Sequence, residues 1–437
     1  PLCFRGEART LCPLDFPFRM PFPLPPPAKN SCTRARGSLG FRDMTPPADL
    51  SLYHELFQQA LNGFFQVPWS RILLFTAVLS YLFSFLFVQF SIFAARHFDV
   101  LARPSERGSH VQPTPRLGGV GAALAFYCGI PIVVMVMPRW TGIASMPPWL
   151  ATAIVGGAWA AVGGVLDDVL ELPPRWKFLF QIAAAGSAVA LGFTPASFDV
   201  PGLGRAVLPQ PAAALFTFAF IIFWMNAYNF MDGMDGQACV FGILVALGIM
   251  VPVGSLGLPN LGRVLAVIAV AAIIAGSLAG LLWYNHPARG PRMKTFMGDS
   301  GSQFYGFLLA VLALHLADPR SYAGKLYPFG AAMIALSPFA WDVFYTIMRR
   351  ALRGENILQA HRSHLYQRLM IAGWSHGQVL LLNIVLWSGA VLLSWVYALA
   401  EQLRDSRVQW MIVGAAFLWL LIYTLLVLTV EARSRKA

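Results

Sequence analysis

Five polar stretches hold nearly all the groups in this chain that could do chemistry. They are RPSERGSHVQPTPRLGG (103–119), DDVLELPPRWK (167–177), NAYNFMDGMDG (226–236), FMGDSGS (296–302) and HRSHLYQR (361–368). Asp167 and Asp168 are adjacent carboxylates at the end of an apolar run. They could bind a divalent cation, one of them could accept a proton, or they could simply solvate a helix end. Lys177 could pair with Asp168 or hold a phosphate, and Gln181 lies one helical turn further on.

Asn226, Asn229, Asp232 and Asp235 recur every third residue, which keeps them on one drifting side of a helix end. Gly233 and Gly236 let that end unwind. The amide and carboxylate oxygens so gathered suit Mg²⁺ bound together with a phosphate, whereas a plain helix cap needs one such residue and not four. Asp299 is a single carboxylate between Gly298 and Gly301. Phe296 could stack on a base or pack in the core. His361 and His364, with Arg362, Arg368 and the preceding Arg349, Arg350 and Arg353, favour a polyanion such as a diphosphate over a second cation. Arg107, His110 and Arg116 serve either a substrate or membrane orientation. No phosphate-binding GxxxxGK[ST] loop, GxGxxG, GxSxG or HExxH occurs.

Membrane-crossing helices must position these residues. The chain is 57% hydrophobic and 12% charged, with mean hydropathy +0.60; soluble domains carry about 25% charge. A span needs about 20 apolar residues. The expected spans are 71–95, 118–138, 148–166, 178–194, 211–230, 238–256, 262–284, 303–317, 324–348, 377–400 and 409–431. The fold class is thus an all-α polytopic membrane protein of ten or eleven transmembrane helices. Residues 71–431 form one transmembrane catalytic domain and 432–437 a cytoplasmic tail. Residues 1–70 are an N-terminal extension, of which the Pro- and Arg-rich 1–43 are expected to be disordered or non-native, with Met44 as a natural start.

The five stretches fall in alternate loops and so share one side. Those loops and the C-terminal tail carry 17 Lys and Arg against 7 in the opposite loops. That bias places the polar loops and the C-terminus in the cytoplasm and the N-terminus outside. The net charge of +12 is read as this orientation signal and not as a nucleic-acid surface. The five cysteines show no metal or disulfide spacing.

With all five motifs in order, residues 99–378 resemble the polyprenyl-phosphate N-acetylhexosamine-1-phosphate transferase family, glycosyltransferase family 4. HRSHLYQRL with downstream Gly373 and His376 is most similar to its O-antigen and lipopolysaccharide-initiating members. The resemblance implies transfer of HexNAc-1-phosphate from a UDP-amino sugar to undecaprenyl phosphate, with release of UMP, at the bacterial inner membrane. It implies Mg²⁺, with Mn²⁺ as a substitute, held by Asp299 and Asn229. It implies catalytic roles for Asp167, Asp168, Asp299, His361 and His364. It implies substrate binding by Lys177, Asn226, Asp232, Asp235, Phe296, Arg362 and Arg116. Membrane lipids are partners, nucleic acid is not, and a homodimer is compatible. One departure is the segment RGPRMKT between Asn285-His-Pro287-Ala288 and Phe296, which is longer and more basic than the family pattern and bears on the role of Asn285. The competing readings are a transferase for GlcNAc or a 6-deoxy sugar in another envelope glycan, a transporter with a polar site, and an inactive scaffold.

Overall fold

The computed structural model describes residues 55, 58, 68–103, 112–141, 146–254, 261–290, 294–318, 321, 327–357, 359 and 361–435. The expectations for residues 1–43, and those for Arg107, His110 and Arg292, lie outside the described residues.

A helix lies at each of the eleven expected places. They are α1 (Pro68–His97), α2 (Gly118–Thr141), α3 (Pro148–Leu170), α4 (Pro174–Ala190), α5 (Gln210–Met231), α6 (Gln237–Gly254), α7 (Leu261–Asn285), α8 (Gly298–Ala317), α9 (Phe329–Leu352), α11 (His376–Gln402) and α12 (Ser406–Ser434), with the short α10 (Leu365–Ile371) between the ninth and tenth of them. Nine of the helices among the described residues are long and apolar enough to cross a membrane; α4, at 17 residues, and α6 are shorter. Among the described residues the strands form two antiparallel pairs, β1 (Leu101–Ala102) with β2 (Thr114–Pro115) and β3 (Ser197–Val200) with β4 (Gly204–Val207). The protein is an all-α polytopic membrane protein.

Proline sets several helix starts. Pro148 and Pro174 stand at first helical positions, where a missing N–H costs nothing. Between them α3 ends at Glu171 in the left-handed region (φ 49°), and Pro173 bars its continuation. The sharp reversal brings Lys177 back to the carboxylates of α3.

Helix α8 is the centre of the bundle, with 94% of its apolar window buried, against 28% for the outlying α1 and α12. Small residues let α2 and α3 reach its backbone. A Cβ on Gly119 would lie 2.2 Å from the Gly301 nitrogen, and one on Gly164 2.4 Å from the Asp299 carbonyl oxygen.

Two expected boundaries shift. Helix α3 runs on to Leu170, so Asp167 and Asp168 sit within its last turn and not beyond it. Helix α8 starts at Gly298, so Asp299 lies in its first turn and not in a loop. Both follow from one contact: Asp168 supplies the acceptors that the first N–H groups of α8 need. Gly119→Ala should lower the detergent-solubilised unfolding midpoint, at a cost of about 1–3 kcal/mol for overpacking. Gly186→Ala, with nothing within 4 Å of the added carbon, should not. Equal midpoints for the two variants would refute the close approach of α2 and α8.

Candidate active site

The cluster forms where the C-terminal ends of α3 and α5 meet the N-terminal ends of α4 and α8. Asp168 is 6% exposed, and its two oxygens accept the backbone N–H groups of Asp299 (2.9 Å) and Ser300 (3.0 Å). Its carboxylate is thus committed to capping α8, where the helix dipole favours a negative charge. Asp167 takes the other direction. One oxygen accepts the Leu172 N–H at 2.9 Å, and the other meets Lys177 Nζ at 2.5 Å. The same ammonium lies 3.0 Å from Asp299 Oδ2. Lys177 therefore bridges Asp167 and Asp299 rather than pairing with Asp168.

Asn229 Nδ2 donates to Asp299 Oδ1 and to Ser302 Oγ, both at 2.8 Å. Asn226 sits one turn deeper and exchanges two hydrogen bonds with Gln181 (2.9 and 3.1 Å), which also donates to Gln303. That amide ladder staples α4, α5 and α8 together. Asn226 is thus engaged with neighbouring helices one turn below Asn229. Between α3 and α4 a narrow cleft runs from Asp167, Lys177 and Asp299 down past Gly163, Phe180 and Met225.

Backbone contacts fix the FMGD turn. Phe296 donates its N–H to Pro115 (2.9 Å), and its carbonyl accepts from Gly118 (3.1 Å). Gly298 has φ +71°, and a Cβ there would lie 2.5 Å from Asp168 Oδ2. Only glycine fits. Phe296 is half-buried, with Lys294 Nζ 5.7 Å from its ring centroid. Arg116 pairs with the exposed Glu171 at 3.1 Å.

Asp235 is 4% exposed and pairs with Lys294 (2.6 Å) and His376 (3.1 Å). Burial pushes its carboxyl up, but the two partners outweigh that and hold it below the ordinary range. Half-buried Asp232 goes the other way, raised well above its ordinary value by burial and by the charges of Asp299, Asp168 and Asp235. Asn285 accepts the Gly236 N–H (2.8 Å) and donates to the Thr295 carbonyl (2.9 Å), tying the third stretch to the long basic segment.

The His/Arg stretch reaches the cluster through α10. Tyr366 donates its hydroxyl hydrogen to the Phe230 carbonyl at 3.2 Å. Buried His364 is the N-cap of α10, with Nδ1 2.9 Å from Asp342 Oδ1. Half-buried Arg362 and His361 precede it, and the His361 and His364 rings are 5.1 Å apart.

Sequence reasoning missed Asp342, which is 1% exposed in α9 and accepts from His364, from the Leu365 and Tyr366 N–H groups and from Thr346. A lone carboxylate inside an apolar span was the available signal. Gln303 and Ser302 were also missed, since nothing sets them apart in sequence.

Among the described residues, no three His, Cys, Asp or Glu side chains converge at metal-binding spacing. The donor set nonetheless suits a hard cation that phosphates help to ligate. Asp167 and Asp299 already share one cationic group, and the Asn229 amide lies beside Asp299.

Carboxylates, an ammonium and imidazoles gathered at one end of membrane helices, over an apolar cleft, define a membrane enzyme for phosphorylated substrates. A family model, "Glycosyl transferase family 4", matches residues 150–317. The decaprenyl-phosphate N-acetylglucosaminephosphotransferase of Mycolicibacterium smegmatis is 34% identical, over 76% of this chain and 82% of that protein. A probable undecaprenyl-phosphate N-acetylglucosaminyl 1-phosphate transferase of Bacillus subtilis is 30% identical, over 71% and 78%. A phospho-N-acetylmuramoyl-pentapeptide-transferase of a Synechococcus strain is 32% identical, over 61% and 74%. The chain belongs to the polyprenyl-phosphate N-acetylhexosamine-1-phosphate transferase family, a family of phospho-sugar transferases.

Burial, His364 and Arg350 push His361 down to about 4, whereas a free histidine titrates at about 6.5. As pH falls through that window the unfolded chain binds the proton first, so the fold loses this contribution. The unfolding midpoint should therefore fall more steeply between those limits in wild type than in His361→Gln; parallel profiles would refute the assignment. Asp342→Leu should cost about 1–3 kcal/mol for each donor it orphans, read from the same midpoints. A wild-type midpoint would mean that the α10 contacts carry no weight.

Proposed function

We propose that this chain transfers HexNAc-1-phosphate from a UDP-amino sugar to undecaprenyl phosphate, giving a lipid-diphosphate sugar and UMP. The active site faces the cytoplasm at the bacterial inner membrane, and the product starts a cell-surface polysaccharide. The names of the relatives favour N-acetylglucosamine as the sugar. The HRSHLYQRL motif resemblance favours O-antigen as the glycan.

One observation carries the reading. Lys177 bridges Asp167 and Asp299 at the head of a cleft whose walls turn apolar below them. We place the lipid monophosphate at this head, its phosphate exchanging for a carboxylate on Lys177. The attacking oxygen is already ionised near neutral pH, since a phosphate monoester has its second pKa at about 6. Little general-base help is required, so Asp167 serves to place Lys177 and the acceptor. The new bond joins a lipid phosphate oxygen to the β-phosphorus of the donor. The bond that breaks is from the β-phosphorus to the bridging oxygen, which departs with UMP.

Two anions must approach each other, and the chain opposes their repulsion from two sides. Lys177 meets the acceptor. Arg362 and His361 stand by the donor diphosphate, on a loop fixed by His364 and Asp342. A carboxylate only accepts, so Asp342 keeps the His364 proton on Nδ1. Mg²⁺, for which Asp299, the Asn229 amide oxygen and Asp167 are the proposed ligands, would neutralise the charge that develops on the departing phosphate.

The test is UMP release by purified protein given undecaprenyl phosphate, Mg²⁺ and a panel of UDP-HexNAc donors. No UMP from any donor would sink the proposal. Chelation with EDTA should stop turnover, with rescue by Mg²⁺ or Mn²⁺. Asp299→Asn should lower kcat by about 10²-fold or more, as loss of a charge-stabilising group does. Lys177→Gln should chiefly raise KM for the lipid. A Lys177→Gln enzyme with wild-type lipid dependence would refute its role.

A further inference from the structure

A second basic site lies away from the cleft, at the same end of the bundle. Between helices α9, α10 and α12 lies an open cavity of about 380 Å³ lined by Arg349, Arg353, Arg368 and Arg435, with Tyr345 and Glu431. None of these residues lines the cleft at Asp167 and Asp299. Among the described residues, Glu431 is the only carboxylate on the cavity wall. It pairs closely with Arg368, at 2.7 Å with Arg435, and at 4.0 Å with Arg349. No carboxylate pairs with Arg353 among the described residues. Four guanidiniums thus face one carboxylate.

Arg368 makes the deficit acute. Its side chain is 5% exposed and is held by Glu431 and Tyr345, while Nε and Nη1 find no acceptor. Arg353 and Arg435 are exposed on the cavity wall and can donate to an anion held there. Phosphate oxygens match the guanidinium fork.

The surroundings select the carrier of that phosphate. Leu428 lines the cavity, and Phe344, Ile347 and Met348 of α9 and Leu425 of α12 are exposed on the helices that bound it. On membrane-crossing helices such side chains face hydrocarbon. A soluble phosphate would satisfy the arginines and leave this apolar surface unused. We propose that the cavity between α9, α10 and α12 binds the headgroup phosphate of an anionic phospholipid, its acyl chains lying along α9 and α12. The occupant would brace α10, whose N-cap is His364.

Native mass spectrometry of the detergent-solubilised full chain tests this, with phosphatidylglycerol, phosphatidylcholine or inorganic phosphate added. Wild type should retain phosphatidylglycerol at least tenfold better than phosphatidylcholine. Arg353→Gln combined with Arg435→Gln should abolish that preference. Arg433→Gln removes a charge from the same end of α12 outside the cavity and should preserve it. Unfolding midpoints near wild type for all variants would show that the comparison is between folded proteins. Equal retention of the two lipids, or an unchanged preference in the double variant, would overturn the proposal. Equal loss in Arg433→Gln would reduce it to general surface charge. Displacement of the lipid by millimolar phosphate would assign the site to a free ion.

Discussion

The two backbone N–H groups that Asp168 accepts are the joint on which the site hangs. They begin α8 at the depth where α3 ends. That start turns the side chain of Asp299 toward Lys177 and Asn229 and sends the rest of α8 through the middle of the bundle. A buried carboxylate needs such partners, and a buried helix start needs such an acceptor. Each satisfies the other. The Gly298 conformation and the backbone contacts at Gly119 and Gly164 are what allow the approach to be this close.

The same device recurs at the other loops. Asp342 holds the start of α10, and Asn285 links residues 236 and 295. Side chains rooted in helices thus anchor loops that would otherwise move freely at a water interface. Pro338 adds a local adjustment. It cannot donate to the Ile334 carbonyl, and the Ser337 hydroxyl does so instead at 2.7 Å. Helix α9 therefore continues to Asp342 without an orphaned acceptor.

Much of this was legible in the residues. Long apolar runs located eleven of the helices among the described residues, because a helix satisfies its own backbone within hydrocarbon. Motif carboxylates stood out because charge at a span end is rare. The pairings were not legible. Whether Lys177 faces Asp167 or Asp168 depends on how α3 twists through its last turn, and a 3.6-residue period cannot separate neighbours once both are near the end. Asp342 was hidden inside a span counted by its apolar residues. Asp232 and Asp235 look alike in sequence, yet Lys294 and His376 pair with only one of them. The long basic segment carries Lys294, whose partner Asp235 lies 59 residues upstream.

The reversal between α3 and α4 has a consequence for how the chain is made. A membrane protein is inserted roughly in the order of its sequence. Asp167 meets its lysine partner ten residues later, within one hairpin, so that pair can neutralise itself as the two helices enter. Asp168 must wait, because the amides it serves lie 131 and 132 residues downstream. Until α8 arrives, a carboxylate meant for burial is held at the water surface. The early bundle is therefore an open half-site with one charge settled and one outstanding, and the central helix closes it.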